Sequence, residues 1–506
     1  MTANANLPVI EALASLTSDD LLRFLANQRW FAAKGTSASD ARVADAVVLP
    51  WGNGSFAMSR IAVRVGDIEQ TYQLPVAACE TSDCDIPEGG TIAWFGDLTI
   101  FDAVYDADFR EGLATALATG LTVESGNGSS WIAEHVAGAR LPAEEHVATR
   151  LGSAEQSNTS IIIGDRAIVK LFRNLKPGIQ PDVEVTNFLT TRAHFPNTPA
   201  LLASMKFVAA GQTTIAGMVQ DFLPGSTDAW SYALERGREY FVAPTGRDVS
   251  NAFVDDARRL GAVTRAMHEA LASDDDDPAF ASEPVSSEDL DHWVERTQQS
   301  IRSSLELLQR QLATSGFPRE RIAEATALVR RGDNYIGWVS EIDDQLGDDL
   351  GMRVRVHGDF HLGQVLHTRA GEFMIIDFEG EPTRSLDERR EKTSPLRDVA
   401  GMLRSFTYAA ATLAMSAEKQ TDAHTRELRS GRWERDVRAA YLSGYLGDPA
   451  DRDDHPDVIP EQETHVRQLI ALFETEKVFY ELAYELNNRP TWAWIPMRGI
   501  AKLFTR

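Results

Sequence analysis

Alternation between apolar and polar positions divides the chain into readable pieces. Residues 43–49, 61–65 and 71–74 read as strands, Gly52 and Gly54 mark a turn between the first two, and 21–30 has apolar residues at helical spacing. Residues 160–163, the Gly164-Asp165 turn and 166–172 form a strong hairpin signal. Pro181-Asp182-Val183-Glu184 reads as a helix start. Residues 218–223 read as a strand that runs into a hinge at Pro224-Gly225. Beyond it the pattern turns helical: Leu290, Trp293, Thr297, Ile301, Leu305, Leu308 and Leu312 follow one stripe, broken at Gly316 and Pro318, and 474–488 reads as a last long helix. Within this helical half, residues 352–356 alternate Arg with apolar residues and read as a strand. Residues 373–376, after the Ala370-Gly371 turn, read as its hairpin neighbour.

That hairpin carries the chemistry. His357-Gly358-Asp359-Phe360-His361-Leu362-Gly363-Gln364 follows the first strand, and Asp377-Phe378-Glu379 follows the second. One carboxylate to orient or deprotonate an acceptor, plus oxygen ligands for a hard cation, is the set that ATP-dependent phosphoryl transfer requires. A polar loop over a core strand would carry one such acidic motif by chance, not two in order. A zinc reading of His357, Asp359 and His361 fits in ligand type but in none of the familiar spacings. Upstream, Lys170 sits in the hairpin strand, preceded by Ser153-Ala154-Glu155-Gln156-Ser157-Asn158-Thr159. That small, hydroxyl-rich turn suits phosphate oxygens. Glu184 is placed to hold Lys170 toward them, or is a plain surface glutamate.

Charge and composition narrow the classes. Across 506 residues, 75 acidic against 50 basic side chains give a formal charge of −25. Such a balance repels nucleic acid and anionic membranes, so neither is an expected partner. No stretch is apolar enough to span a bilayer, and the start shows no secretory pattern, so a cytoplasmic protein is expected. Cys79 and Cys84 read as two incidental thiols rather than a redox pair. Asp274 to Asp277 and the Asp- and Pro-rich 449–460 read as solvated loops.

The order Lys170, Glu184, His357-Gly358-Asp359, Gln364, Asp377 resembles the aminoglycoside-phosphotransferase-like, protein-kinase-like fold, in which most members carry Asn where Gln364 stands. The closer resemblance is to actinobacterial maltokinases. It rests on His357 to Leu366, Ile376 to Pro382, Ser394 to Phe406, Gln28-Arg29-Trp30-Phe31, Ala154 to Ser160, and Asn487-Asn488-Arg489-Pro490 with Trp492. The resemblance implies an α+β, two-lobed protein-kinase-like fold with an N-terminal cap subdomain. Its divisions would be a cap at 1–105, a β-rich nucleotide-binding subdomain at 106–222, and a mainly helical C-lobe at 223–506. It implies transfer of the ATP γ-phosphoryl to the anomeric hydroxyl of maltose, feeding α-glucan synthesis; the related glucosamine kinases phosphorylate glucosamine on the same scaffold. Monomer or weak homodimer is the expected state.

On this reading Asp359 is the base. Gln364 and Asp377 hold Mg2+, and Glu379 either joins them or pairs with Arg384, Arg389 or Arg390. Lys170, Glu184, Ser153, Ser157, Asn158, Thr159, Gln220 and Phe222 face ATP. His361, Tyr480, Glu481, Tyr484, Arg489 and Trp492 face the sugar, although periodicity alone makes the last helix an amphipathic one with Lys-Glu pairs. Arg397, Asp398 and Arg404 would buttress the catalytic loop.

Overall fold

The computed structural model describes residues 7–33, 38–52, 55–82, 84–87, 89–126, 128–139, 141, 147–152, 157–243, 250–313, 317–347, 349–447 and 458–504. Ser153 to Gln156, Lys34, Gly35, Gly54, Gly316 and most of 449–460 lie outside this set. Two compact units divide the chain: Met1–Asn187 with Pro199–Pro224, and Phe188–Thr198 with Gly225–Arg506.

In the first unit, helices α1 (Leu7–Ser15) and α2 (Ser18–Asn27) precede strands β1 (Ala38–Val48), β2 (Phe56–Val65), β3 (Ile68–Glu80), β4 (Thr91–Phe95) and β5 (Leu98–Asp102). The strands form an antiparallel sheet in the order β1-β2-β3-β5-β4. Thr17 and Asp20 close a capping box that starts α2. The aromatic end of that helix packs into the sheet: Trp30 and Phe31 are buried against Tyr72, with ring centroids 6.1 and 5.2 Å away. Cys79 and Cys84 are paired as a disulfide, in place of the two separate thiols the sequence suggested. The turn after β3 brings their Cα atoms to 6.2 Å, within bridging range.

Helix α3 (Ala107–Thr119) leads into the second sheet. Its strands are β6 (Leu121–Glu124), β7 (Ser130–His135), β8 (Thr149–Leu151), β9 (Asn158–Ile163) and β10 (Ala167–Phe172), then, after β11 (Asn174–Leu175) and α4 (Pro181–Thr191), β12 (Leu201–Ala209) and β13 (Gln212–Asp221). The order is β6-β7-β12-β13-β10-β9-β8, and β11 joins the first sheet beside β3. β9 and β10 are the expected hairpin, in register from Ile163–Ala167 to Asn158–Phe172. Buried polar groups stitch the two sheets together. Gln73 Nε2 donates to the carbonyls of Phe172 (3.2 Å) and Ala216 (2.8 Å). Arg173 donates to Asp102 at 2.7 Å, both side chains almost fully buried, and its guanidinium stacks 4.8 Å over Trp30.

The second unit is mainly helical. β14 (Thr227–Asp228), α5 (Ala229–Val242), α6 (Val254–Leu271), β15 (Glu283–Pro284) and α7 (Ser287–Leu312) come first. Then follow α8 (Ile322–Arg330), α9 (Gly332–Gln345), β16 (Met352–Arg353), β17 (Val365–His367) and β18 (Phe373–Ile375). The chain closes with α10 (Leu386–Arg390), α11 (Leu396–Ser416), α12 (Ala423–Leu446), α13 (Glu463–Asn488) and α14 (Trp494–Leu503). The α7 stripe is core, as its spacing requires: Leu290, Trp293, Thr297, Ile301, Leu305 and Leu308 are all buried. α6 and α12 cross so closely that a Cβ on Gly261 or Gly444 would strike the facing backbone. Among the described residues no helix is long and apolar enough to cross a membrane.

One hairpin differs from expectation. β18 pairs with β17, and β16 pairs with β15. A hairpin forms across the nearest tight turn, here 368–372 with Gly371 at φ +87°. The competing strand lay too far back, and the correct partner was a three-residue strand hidden behind the catalytic loop.

Replacing Arg173 by Met should leave Asp102 buried without its cation. The expected loss is about 3–5 kcal/mol of unfolding free energy, read as a lower urea midpoint at unchanged slope.

Candidate active site

The loop 357–364 is shaped by α11, which presents Asp398, Gly401 and Ser405 along one face. Asp398 Oδ2 accepts from the His357 amide (2.7 Å) and Oδ1 from the Gly358 amide (3.0 Å). The same carboxylate meets His268 Nε2 at 3.2 Å, and His268 Nδ1 meets the Tyr445 hydroxyl at 2.9 Å. A Cβ on Gly401 would lie 2.6 Å from the Phe360 carbonyl oxygen, so glycine there admits the loop. Ser405 Oγ accepts from the Leu362 amide at 3.1 Å. Burial pushes the Asp398 carboxyl up, but the His268 and His357 contacts outweigh it and hold the group below the ordinary aspartate range. Arg397 and Arg404, expected to brace the loop as well, reach α13 instead. Arg397 pairs with Glu476 at 2.9 Å and Arg404 with Glu481 at 2.6 Å.

His357 Nε2 hydrogen-bonds the Ile376 carbonyl at 2.9 Å, and its ring packs against Phe360 and Phe378. The Ile376 amide donates to the Gln364 carbonyl at 3.0 Å, which sets Gln364 beside the residue before Asp377. Asp377 has φ +62°, a left-handed conformation that non-glycine residues adopt rarely and that aspartate tolerates better than most. Arg389 then fixes the following turn by donating to the carbonyls of Glu379, Pro382 and Arg384 at 3.3, 2.6 and 3.0 Å. Among the described residues no three His, Cys, Asp or Glu side chains converge to hold a metal by themselves. An amide and one carboxylate on adjoining backbone form the partial donor set that Mg2+ takes when phosphates and waters complete its shell. Gln364 and Asp377 fit that role.

Asp359 opens onto a 620 Å³ cavity within the second unit, whose wall includes Trp293, Glu381, Arg397, Phe473, Lys477 and Tyr480. Lys477 Nζ lies 3.5 Å from Asp359 Oδ1 and 5.1 Å from the centre of the Tyr480 ring. Burial opposes the Lys477 charge, but Asp359, Glu381 and Glu481 hold its pKa above the ordinary lysine value. Burial, then Glu381, pushes Tyr480 up to about 12. His361 Nε2 stands 3.9 Å from Asp359 Oδ2, and burial lowers its pKa, which favours the neutral ring. Arg353 Nε, Thr393 Oγ1 and Arg397 Nη2 are buried without a hydrogen-bond partner among the described residues, and their residues belong to the same cavity wall. Hydroxyl-bearing ligands or water satisfy such groups.

Of the other sugar-facing residues read from sequence, Tyr480 reaches this wall. Glu481 turns to Arg404. Arg489 pairs with the buried Glu485 at 2.7 Å and lies over the rings of Tyr484 and Trp492, forming a separate cluster at the end of α13. In the first unit, Lys170 pairs with Asp182 at 3.2 Å, both buried. Sequence reasoning named Glu184 and missed Asp182; both stand in the first turn of α4. Thr159 Oγ1 accepts from Arg173 Nε at 2.8 Å. Ser157 is exposed ahead of β9, which Asn158 begins. Gln220 is buried in β13, and the Phe222 amide donates to the Arg166 carbonyl at 2.8 Å.

The full chain superposes on a glucosamine kinase solved with glucosamine, ADP and inorganic phosphate, with a TM-score of 0.67 and 20% identity over 99% of this chain and 100% of that one. The chain has the fold of that kinase. Residues 24–106 match the model of the maltokinase N-terminal cap domain. Two further relatives are glucosamine kinases: one from Streptacidiphilus jiangxiensis, 26% identical over 69% of this chain and 72% of its own length, and one from Mycolicibacterium smegmatis, 24% identical over 69% and 78%. The matched residues span the last turn of α2 and the strands β1 to β5 of the first sheet.

Asp398→Asn should lower stability by about 1–3 kcal/mol at neutral pH. Because the folded pKa is depressed, the stabilisation is complete above the unfolded aspartate value of about 3.9 and is lost as pH falls through the folded value. Melting curves of wild type and variant should therefore stay apart from pH 7 to about 4 and converge below it.

Proposed function

We propose that this protein is an ATP- and Mg2+-dependent carbohydrate kinase whose acceptor is maltose, giving maltose 1-phosphate for α-glucan synthesis. The observation that carries the reading is the Asp359 carboxylate, held by a buried α11 anchor at the wall of a 620 Å³ cavity. A sugar phosphotransferase is the class to which the glucosamine kinase relatives belong.

Asp359 accepts the proton of the acceptor hydroxyl as the hydroxyl oxygen attacks the γ-phosphorus and the bond to the β–γ bridging oxygen breaks, releasing ADP; Lys477 and Tyr480 border the space that hydroxyl enters. A magnesium ion on Gln364 and Asp377 would neutralise charge on the transferred phosphoryl group, with Glu379 close by on the same turn. Lys170, fixed by Asp182, with Glu184, Ser153, Ser157, Asn158, Thr159, Gln220 and Phe222, forms the nucleotide-facing set. The maltose assignment is supported by the maltokinase cap match and by a cavity inside the range of about 300–1,000 Å³ that takes drug-sized ligands. A second reading, phosphorylation of glucosamine to its 6-phosphate, is favoured by the curated relatives and the superposed structure.

Side-by-side assays with ATP and magnesium on maltose, glucose, glucosamine and an aminoglycoside decide between them. Maltose turnover with phosphate on the anomeric carbon is expected, and glucosamine turnover alone would replace this reading with the second. Asp359→Asn should cut kcat by roughly 10²–10⁴-fold while ADP still binds; full activity in that variant would remove Asp359 from the mechanism.

A further inference from the structure

Lys477 is a cation placed at an acceptor site. Its Nζ lies 3.5 Å from Asp359 Oδ1, and its residue lines the cavity. The side chain has little freedom to leave, because neighbours on α13 are anchored on several sides. Glu474 binds Arg438 through two 2.7 Å contacts, Glu476 is held by Arg397 and Arg296 at 2.9 and 2.8 Å, and Glu481 is held by Arg404.

The carboxylates that could offset this charge for an incoming cation are already matched. Glu381 pairs with Arg384 at 3.1 Å, and Glu476 sits between two arginines. Glu283 is held by Lys392 and by Arg353, and the same arginine takes Asp289 at 2.7 Å. Glu388 and Glu391 remain, both exposed, and Glu388 is committed to the cap of α10. An ammonium group bound near Asp359 would thus share that one carboxylate with Lys477, and among the described acids of the cavity only the exposed Glu391 is uncommitted.

We propose that Lys477 is a specificity-determining residue that selects uncharged sugars and disfavours amino sugars, while positioning the Asp359 carboxylate. This rests on the sugar-kinase reading above. Two like charges about 6 Å apart at a partly screened site disfavour binding by roughly ten- to hundred-fold, enough to set a preference.

The test uses the full-length protein with ATP and magnesium at pH 6.5 and two matched acceptor pairs. These are glucose with glucosamine, and maltose with 2-amino-2-deoxymaltose, each differing by hydroxyl against ammonium at C2. Wild type should favour the neutral member of whichever pair it turns over by roughly tenfold or more. Lys477→Gln should shrink that ratio by roughly tenfold or more, whatever its effect on kcat, and Lys477→Arg should preserve it. A wild-type preference for the ammonium member overturns the proposal without recourse to any variant. So does an unchanged ratio in Lys477→Gln, which would reduce the lysine to a structural support. Absence of turnover with every sugar would instead overturn the kinase reading, and this proposal with it.

Discussion

A single buried carboxylate sets the geometry on which the site depends. Taking Asp398 out of water costs several kcal/mol, and the structure offsets this with two backbone amides and the His268 imidazole. Those amides belong to His357 and Gly358, so the anchor fixes the backbone immediately before Asp359. Gly358 has φ +82°, and the left-handed turn there directs both N–H groups at one carboxylate. His357 transmits the constraint onward through Ile376 to Asp377. Asp359 and Asp377, the proposed base and metal carboxylate, therefore both follow backbone that one continuous network fixes.

A second constraint comes from α13. Beyond the exposed Glu463 of its first turn, its acids do not face solvent as an amphipathic helix would predict; Glu474, Glu476 and Glu481 each meet an arginine of another helix, and Glu485 meets Arg489 at the end of its own. Buried ion pairs add little net stability, since desolvation consumes most of the attraction, but they penalise any other helix rotation strongly. Rotating α13 by one residue would strand several charges at once. The pairs thus act as a register device, and what they register is the side of the helix that carries Lys477 and Tyr480.

Local signals explain which parts were legible in the sequence. The β9–β10 hairpin, the α4 start at Pro181 and the α7 stripe each follow from short-range chemistry: a turn, a fixed φ, a 3.6-residue period. The Cys79–Cys84 bridge was a local pairing read as two separate thiols, but other errors involved a choice between equivalent partners at long range. β18 had two candidate strands, and Arg404 had either the catalytic loop or α13 to bind. Spacing cannot rank such partners, because tertiary packing brings one of them within 3 Å or so and not the other. The spacing of Asp398, Gly401 and Ser405 was available as a helical face, and it became a loop cradle only once Phe360 and Leu362 were seen against it.

The net charge illustrates the same separation of scales. A formal −25 describes the field at a distance, where salt screens it within about 8 Å. Inside the cavity that field counts for little. There most of the acids meet guanidinium or ammonium groups, and Lys477 adds a positive charge beside Asp359. An acidic protein can thus present a locally neutral or positive surface to a sugar hydroxyl and to a polyphosphate. On the proposed reading, the preference between a neutral sugar and an amino sugar depends on the few groups around Asp359, and the overall composition gives no guide to it.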